Sequence, residues 1–359
     1  MHRLVAGTCR MELTLTPLSP WMVRGLDPTG KGDFEPILDR TGNPFIPASS
    51  LKGALRSTAE RVLRSMHPER SVDLAPLADD PFVPKRDTTV LTGKPRGEIA
   101  DSELIEWYQA NPTKAAHGAI DHLYQHLAAI SQLFGATVHA GLVTLEDAIA
   151  HVSLPPESWQ RRPHVAIDRF TGGVGVGPFS TTAAPAKAQG QPVHLTSTLT
   201  IRNFTLWQLG LLAITFQEFG LGYAAMGAGT RKGYGRFTVA VPQIECAYHA
   251  GLLQHVGITS AEAALPLYSA QGLLAASSTA APTAAHDVPP EIRLLEVQAG
   301  HPRALSPGHL QRTAQPPTSW RTTGTVIGTA TGATVTELFQ AAVVGPWRTW
   351  VRYKQEEQA

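Results

Sequence analysis

Pro47 to Met66 reads P-A-S-S-L-K-G-A-L-R-S-T-A-E-R-V-L-R-S-M. Leu51, Leu55, Val62 and Met66, with Ala54 and Ala59 beside them, recur at i, i+4, i+7 spacing. The stretch is therefore predicted as an amphipathic helix opened by Pro47-Ala48-Ser49-Ser50. Ser49 or Ser50 can cap the free amides of the first turn. Lys52 and Arg56, four residues apart, fall on one face near the positive end of the helix dipole. Capping groups, free N–H donors and two cations at one spot make a site for phosphate. The same stretch also fits an ordinary capped helix with a solvated lysine and arginine, and taken alone it leaves both open.

On the N-terminal side, Arg10 to Leu18 alternates apolar and polar residues at period two, the pattern of a half-buried strand. Ser19 to Pro47 is rich in Gly, Pro and Asp and predicts a long functional loop with a turn at Thr41-Gly42-Asn43. On the C-terminal side, Ser71 to Ala100 is irregular and reads as an insertion. Asp101 to Ala110 and Thr113 to Phe134 are predicted helices, the second stopped by Gly135. His122 and His126 stand four apart, as helical zinc ligands do, but no third ligand accompanies them, so they read as surface histidines.

Leu142 to Val152 and Gln191 to Phe204 are predicted strands. Between them Arg161 to Phe179, R-R-P-H-V-A-I-D-R-F-T-G-G-V-G-V-G-P-F, carries too many glycines for a core element and predicts a protruding hairpin. Leu206 to Gly220 is an apolar helix, and Arg236 to Val241 a strand whose signal weakens beyond Pro242. Leu265 to His286 drifts into Ala, Ser, Thr and Pro and reads as a linker. The chain closes on an aromatic and basic run, W-R-T-W-V-R-Y-K. The expected organisation is a core over 1–245, with an inserted helical region at 67–135 and a hairpin at 161–190. A helix and linker over 246–290 and a C-terminal extension over 291–359 follow.

Composition narrows the function classes. At 359 residues and 43% hydrophobic content a substantial core is available. Lys+Arg 30 balance Asp+Glu 29, so any basic surface must be local. The two cysteines, Cys9 and Cys246, lack metal or redox spacing and are expected to be buried and reduced. No stretch approaches about 18 uninterrupted apolar residues. A soluble cytoplasmic protein without membrane partner, metal or cofactor is the expectation.

Met226 to Phe237, M-G-A-G-T-R-K-G-Y-G-R-F, combines Gly227, Gly229, Gly233 and Gly235 with Arg231, Lys232 and Arg236. Glycines let backbone approach a ligand closely and the cations supply charge, which suits an extended polyanion. The loop matches neither the Walker phosphate loop nor the dinucleotide fingerprint, and it also fits a tight turn before a strand. The order strand, loop, helix, then strand, helix, glycine loop and strand predicts an α+β fold. Its core would be a ferredoxin-like (RRM-like) antiparallel sheet with helices on one face, an inserted helical region and a protruding hairpin. Such sheets bind RNA by stacking bases on exposed aromatics. No aromatic-rich strand is present here, so phosphate-centred binding fits better.

Three stretches, P-F-I-P-A-S-S-L-K-G-A-L-R (Pro44 to Arg56), I-D-R-F-T-G-G (Ile167 to Gly173) and M-G-A-G-T-R-K-G-Y-G-R (Met226 to Arg236), occur in an order that resembles the RAMP superfamily of CRISPR effector proteins. The likeness covers roughly residues 10 to 242 and is strongest to the backbone subunits that polymerise along a guide RNA. It implies that the opening helix and the glycine loop lie along the guide backbone. It also implies that the hairpin is a thumb that interrupts the guide at intervals and reaches the neighbouring subunit. By position, Ser49, Ser50, Lys52 and Arg56, then Asp168, Arg169 and Thr171, then Gly227, Gly229, Arg231, Lys232, Tyr234 and Arg236 inherit RNA-binding roles. Implied partners are the CRISPR guide RNA, a complementary target nucleic acid, further copies of the chain in a head-to-tail filament, and other effector subunits.

In target-cleaving type III backbone subunits, an aspartate two residues before a proline supports metal-dependent cleavage. Here Phe34 fills that slot before Pro36, flanked by Asp33 and Glu35. With the long C-terminal extension and the segment W-M-V-R-G-L-D-P from Trp21, this favours a non-cleaving type IV subunit with no catalytic residue. The alternative is a type III ribonuclease that uses Asp33 and a divalent ion. An unrelated enzyme with its pocket in the Ser19 to Pro47 loop would leave the motif order unexplained.

Overall fold

The computed structural model describes residues 5–25, 35–65, 128–136, 139–258, 264–280, 294–312 and 325–356. Leaving the separate ribbons of two-residue strands and the 3₁₀ and π turns unlabelled, the chain order is β1 (Gly7–Pro17), α1 (Ala48–Ser65), α2 (Ala129–Phe134), β2 (Val143–Leu145), β3 (Ile149–Ala150), β4 (Gln160–Ile167), β5 (Val174–Ala183), β6 (Leu195–Arg202) and α3 (Leu206–Gly220). There follow β7 (Phe237–His249), α4 (Ala250–His255), β8 (Ala264–Tyr268), α5 (Ala270–Ala280), β9 (Ala304–Arg312), β10 (Thr325–Thr331), α6 (Ala333–Ala342) and α7 (Arg348–Glu356). The fold mixes α and β around one antiparallel sheet of order β8-β9-β10-β7-β1-β6-β2, with β3 also paired to β6.

The centre of that sheet follows from sequence period. Along β1, Cys9, Met11, Leu13 and Leu15 are buried, while Arg10 and Glu12 between them are exposed. Leu195, Leu199 and Ile201 do the same on β6. Over this face α1 lays Leu51, Leu55, Val62 and Leu63, and α3 adds Leu209, Leu212, Phe216 and Phe219. At the N-terminus of α3 the Thr205 N–H donates to Gln208 Oε1 at 3.0 Å, and the Leu206 N–H donates to Glu296 Oε2 at 3.3 Å. A buried carboxylate from far along the chain thus caps the helix that leads into the glycine loop.

β7 runs past Pro242 to His249, where the sequence signal had faded. Its register on β1 shifts between Glu12 and Thr14, leaving a bulge at Val241-Pro242, so a residue with no N–H sits where no ladder bond is required. The linker expected over 265–286 is not one in its described part. Leu265 and Leu267 are buried in β8, and Ala270, Leu273, Ala275 and Ala276 are buried in α5. Alanine is the strongest helix former and packs closely, so an alanine-rich run is as suited to a buried helix as to a linker. The C-terminal segment adds β9 and β10 to the same sheet, β10 pairing with β7 from His249↔Thr325 to Gln243↔Thr331.

The terminal aromatic run is core. Trp350 stacks on Trp207 of α3 with ring centroids 4.3 Å apart and planes 9° from parallel, and Trp347 stacks on Trp350 at 5.3 Å. Gly210 makes this approach possible, because a Cβ there would sit 2.7 Å from Trp347 Cβ and 2.8 Å from the Ala342 carbonyl oxygen.

The described arms of the Gly-, Pro- and Asp-rich loop pair with each other. The Gly25 N–H donates to the Glu35 carbonyl at 3.0 Å and the Ile37 N–H to the Val23 carbonyl at 2.8 Å, so the two arms form a narrow ribbon. The predicted turn is present: Asp39 Oδ1 accepts from the N–H of Thr41 (2.8 Å) and of Asn43 (2.9 Å) and from Thr41 Oγ1 (2.7 Å). The insertion and helices expected between Ser71 and residue 127, His122 and His126 among them, lie outside the described residues, as do Asp33 and Phe34.

Candidate nucleic-acid interface

The glycine loop joins α3 to β7 and is stitched to the segment after β1. The Leu18 N–H donates to the Arg236 carbonyl (2.7 Å), the Gly235 N–H to the Pro20 carbonyl (2.9 Å) and the Ala228 N–H to the Met22 carbonyl (2.9 Å), while the Arg236 N–H donates to Ser19 Oγ (3.0 Å). Gly227, Gly229, Gly233 and Gly235 all take positive φ, from 71° to 88°. At Gly235 the demand is strict, since a Cβ would lie 2.0 Å from the Met226 carbonyl oxygen. This frame presents Arg231 and Lys232 on a single 3₁₀ turn, Thr230–Lys232, with Arg236 directly after Gly235; all three side chains are exposed.

Tyr234 does not belong to that exposed set. It is 1% exposed, its ring lies against Gly229, and it supports the loop from beneath. Contact of its ring with a ligand, implied by resemblance, does not fit this burial.

The expected hairpin is present as β4 and β5, paired from Gln160↔Ala183 to Ile167↔Val174 and, among the described strands, joined to neither edge of the main sheet. At its tip Asp168 Oδ1 accepts from the Phe170 N–H (2.8 Å), the Thr171 N–H (2.8 Å) and Thr171 Oγ1 (3.2 Å), and Thr171 Oγ1 accepts from the Gly173 N–H (3.2 Å). These bonds, the Thr171 amide first, hold the Asp168 carboxyl below the usual aspartate range. Asp168 and Thr171 therefore build the turn, and an ionised carboxylate would repel phosphate. The tip side chains offered outward are Arg169 and Phe170, the latter fully exposed, flanked by Ile167 and Val174.

On α1 the two cations are engaged. Lys52 Nζ donates to the Val143 carbonyl at 2.8 Å, and Arg56 donates from Nη1 to the Gly135 carbonyl at 2.7 Å and from Nε to Glu60 Oε1 at 2.9 Å. Burial, reinforced by the charge of Arg56, lowers the Lys52 pKa. The helix begins at Ala48, so Ser49 and Ser50 sit inside its first turn instead of capping it. The Ala48 N–H is taken by Asp147 Oδ1 at 2.7 Å. This corrects the picture of an open phosphate site there: an aspartate from the chain itself already occupies part of the helix end, and Lys52 and Arg56 brace the segment leading into β2.

The structure also supplies a residue that the sequence did not single out. Arg162 of β4 lies over the Tyr234 ring at 5.4 Å from its centroid, which brings the hairpin base to the loop. Pairings between residues so far apart in the chain leave no local pattern.

Among the described residues no three His, Cys, Asp or Glu side chains cluster as metal ligands, and no described helix is long and apolar enough to cross a membrane. No curated protein matches the chain. The family model of the RAMP superfamily matches residues 14–238, a span running from β1 through the hairpin and the glycine loop into β7. With well over half of its length matched, and with the glycine loop and hairpin inside the match, the chain belongs to the RAMP superfamily.

Proposed function

We propose that this chain is a guide-RNA-binding backbone subunit of a type IV CRISPR ribonucleoprotein, acting in the cytoplasm and without nuclease activity. Membership of the RAMP superfamily implies a CRISPR-associated RNA-binding subunit. The observation that carries the finer reading is the glycine loop, where Arg231, Lys232 and Arg236 stand exposed on a frame fixed by backbone hydrogen bonds. Fixed cations on closely approachable backbone suit a phosphate chain and read no bases. The succession β1-α1-β2-β6-α3-β7, with sheet order β7-β1-β6-β2, supports a ferredoxin-like core.

Copies would stack head to tail along the guide, a heterologous contact that grows into a helix instead of closing. The assembly would also engage other effector subunits and a complementary target. Phe34, two residues before Pro36, favours a subunit that holds its target without cutting it. Moving an acid one residue along an extended segment shifts it by roughly 3.3 Å and turns it to the opposite face. Misplacement by about one ångström already costs on the order of a hundredfold in rate, so Asp33 does not replace the missing aspartate.

The assembled complex is therefore expected to bind a complementary target and leave it intact in Mg²⁺ or Mn²⁺, with Asp33→Ala unchanged in target binding. Gel analysis of labelled target tests this. Regularly spaced products abolished by Asp33→Ala would establish the ribonuclease alternative.

A further inference from the structure

The hairpin is anchored at its foot, and its β4 strand is exposed above it. Trp21 and Ala184 exchange both backbone hydrogen bonds, at 3.0 and 2.8 Å, and Trp21 Nε1 donates to the Pro185 carbonyl at 3.2 Å. Beyond that foot β4 and β5 pair only with each other among the described strands, and the side chains of β4 are exposed apart from a half-buried His164. Among the described residues two cation–π contacts cross from this ribbon to the glycine loop, and they run in opposite senses. Arg162 of the hairpin lies over the Tyr234 ring of the loop, and Lys232 of the loop lies over the Phe179 ring of the hairpin, each at 5.4 Å from the centroid. Phe179 is steadied by His164, its direct cross-strand partner, with rings 5.5 Å apart.

We infer that this reciprocal pair of cation–π contacts is a clasp that sets the angle of the hairpin in the free chain, and that a phosphate chain on the glycine loop releases it. The second half rests on the proposed RNA binding. Lys232 is both a clasp member and one of the loop's exposed cations, so a phosphate that takes its ammonium removes it from the Phe179 ring. Arg162, beside it, is open to the same competition. Each exposed cation–π contact shifts an equilibrium by roughly two- to fivefold, so the two together hold the closed hairpin by roughly five- to thirtyfold. That is small enough for a bound polyanion to overturn. Arg162 and Phe179 are accordingly positioning residues.

The test uses nitroxide labels on Ser57→Cys of α1 and Val174→Cys near the tip, both at exposed positions, with the native Cys9 and Cys246 buried and unreactive. Pulsed dipolar spectroscopy of the RNA-free chain should give one narrow distance. Arg162→Gln with Phe179→Leu should broaden it, the ratio of closed to open hairpin falling by roughly the five- to thirtyfold given above, and Arg162→Lys with Phe179→Tyr should restore it. An unchanged distribution in the Gln/Leu variant would overturn the clasp. Poly-uridylate added to the unsubstituted clasp should reproduce the broadening. If fluorescence anisotropy shows poly-uridylate bound while the distance stays narrow, the coupling is overturned and RNA binding stands. If it does not bind at all, RNA binding and the coupling fall together, and the free-chain comparison still decides the clasp.

Discussion

Replacing Arg231, Lys232 and Arg236 together by alanine should weaken binding of single-stranded RNA about fiftyfold at 0.15 M salt. Each phosphate neutralised on a single strand contributes about 0.7 to the slope of log affinity against log salt. Three such contacts remove about 2 from the slope, which at that salt corresponds to the stated loss. The loss should be equal for RNAs of unrelated sequence, since phosphate contacts position a chain without reading it. The fold should survive, because all three side chains are exposed and the loop is held by backbone bonds to Leu18, Pro20 and Met22 and by the Ser19 hydroxyl. Anisotropy titrations across a salt series measure both quantities. A variant with unchanged slope would move the phosphate path away from this loop.

Trp350→Ala should cost about 3–5 kcal/mol of stability, a large share of the 5–15 kcal/mol typical of a domain. The indole is 1% exposed and packs against both Trp207 of α3 and Trp347, so its removal leaves a cavity walled by rigid aromatic rings. Loss of the stack also loosens the C-terminal segment from the helix that feeds the glycine loop. Urea unfolding should show a lower midpoint at similar slope. A change below about 1 kcal/mol would mean that the C-terminal helices are not part of the core.

The elements legible in the sequence are those whose signal is local. β1 and β6 alternate, α1 carries a helical stripe, α3 is a long apolar run, and the glycines of 172–177 forbid a core element, so each was readable within its own few residues. What escaped was decided at a distance. Pro242 looked like the end of a strand because the bulge that tolerates it lies in the register of β7 against β1. Leu265 to His286 looked like linker because the surfaces that bury Leu267 and Leu273 in its described part come from other parts of the chain.

The site divides in the same way. The cations of the glycine loop were readable from composition, and they stand where expected. The roles of Lys52 and Arg56 depend on the carbonyls of Val143 and Gly135, and that of Tyr234 on its burial beneath Gly229. For Asp168 the structure shows a turn-building carboxylate, and a motif shared with a family does not distinguish a residue that builds a turn from one that contacts a ligand.

The most direct measurement is to purify the chain from cells that express it together with a CRISPR array, and to sequence the nucleic acid that stays bound. Guide RNA from the array, protected along its length and retained by the unsubstituted chain but not by the Arg231, Lys232 and Arg236 triple variant, is the predicted result. Recovery of no RNA, or of cellular RNA without enrichment of the array's transcripts, would contradict the proposal that this chain is a guide-binding backbone subunit.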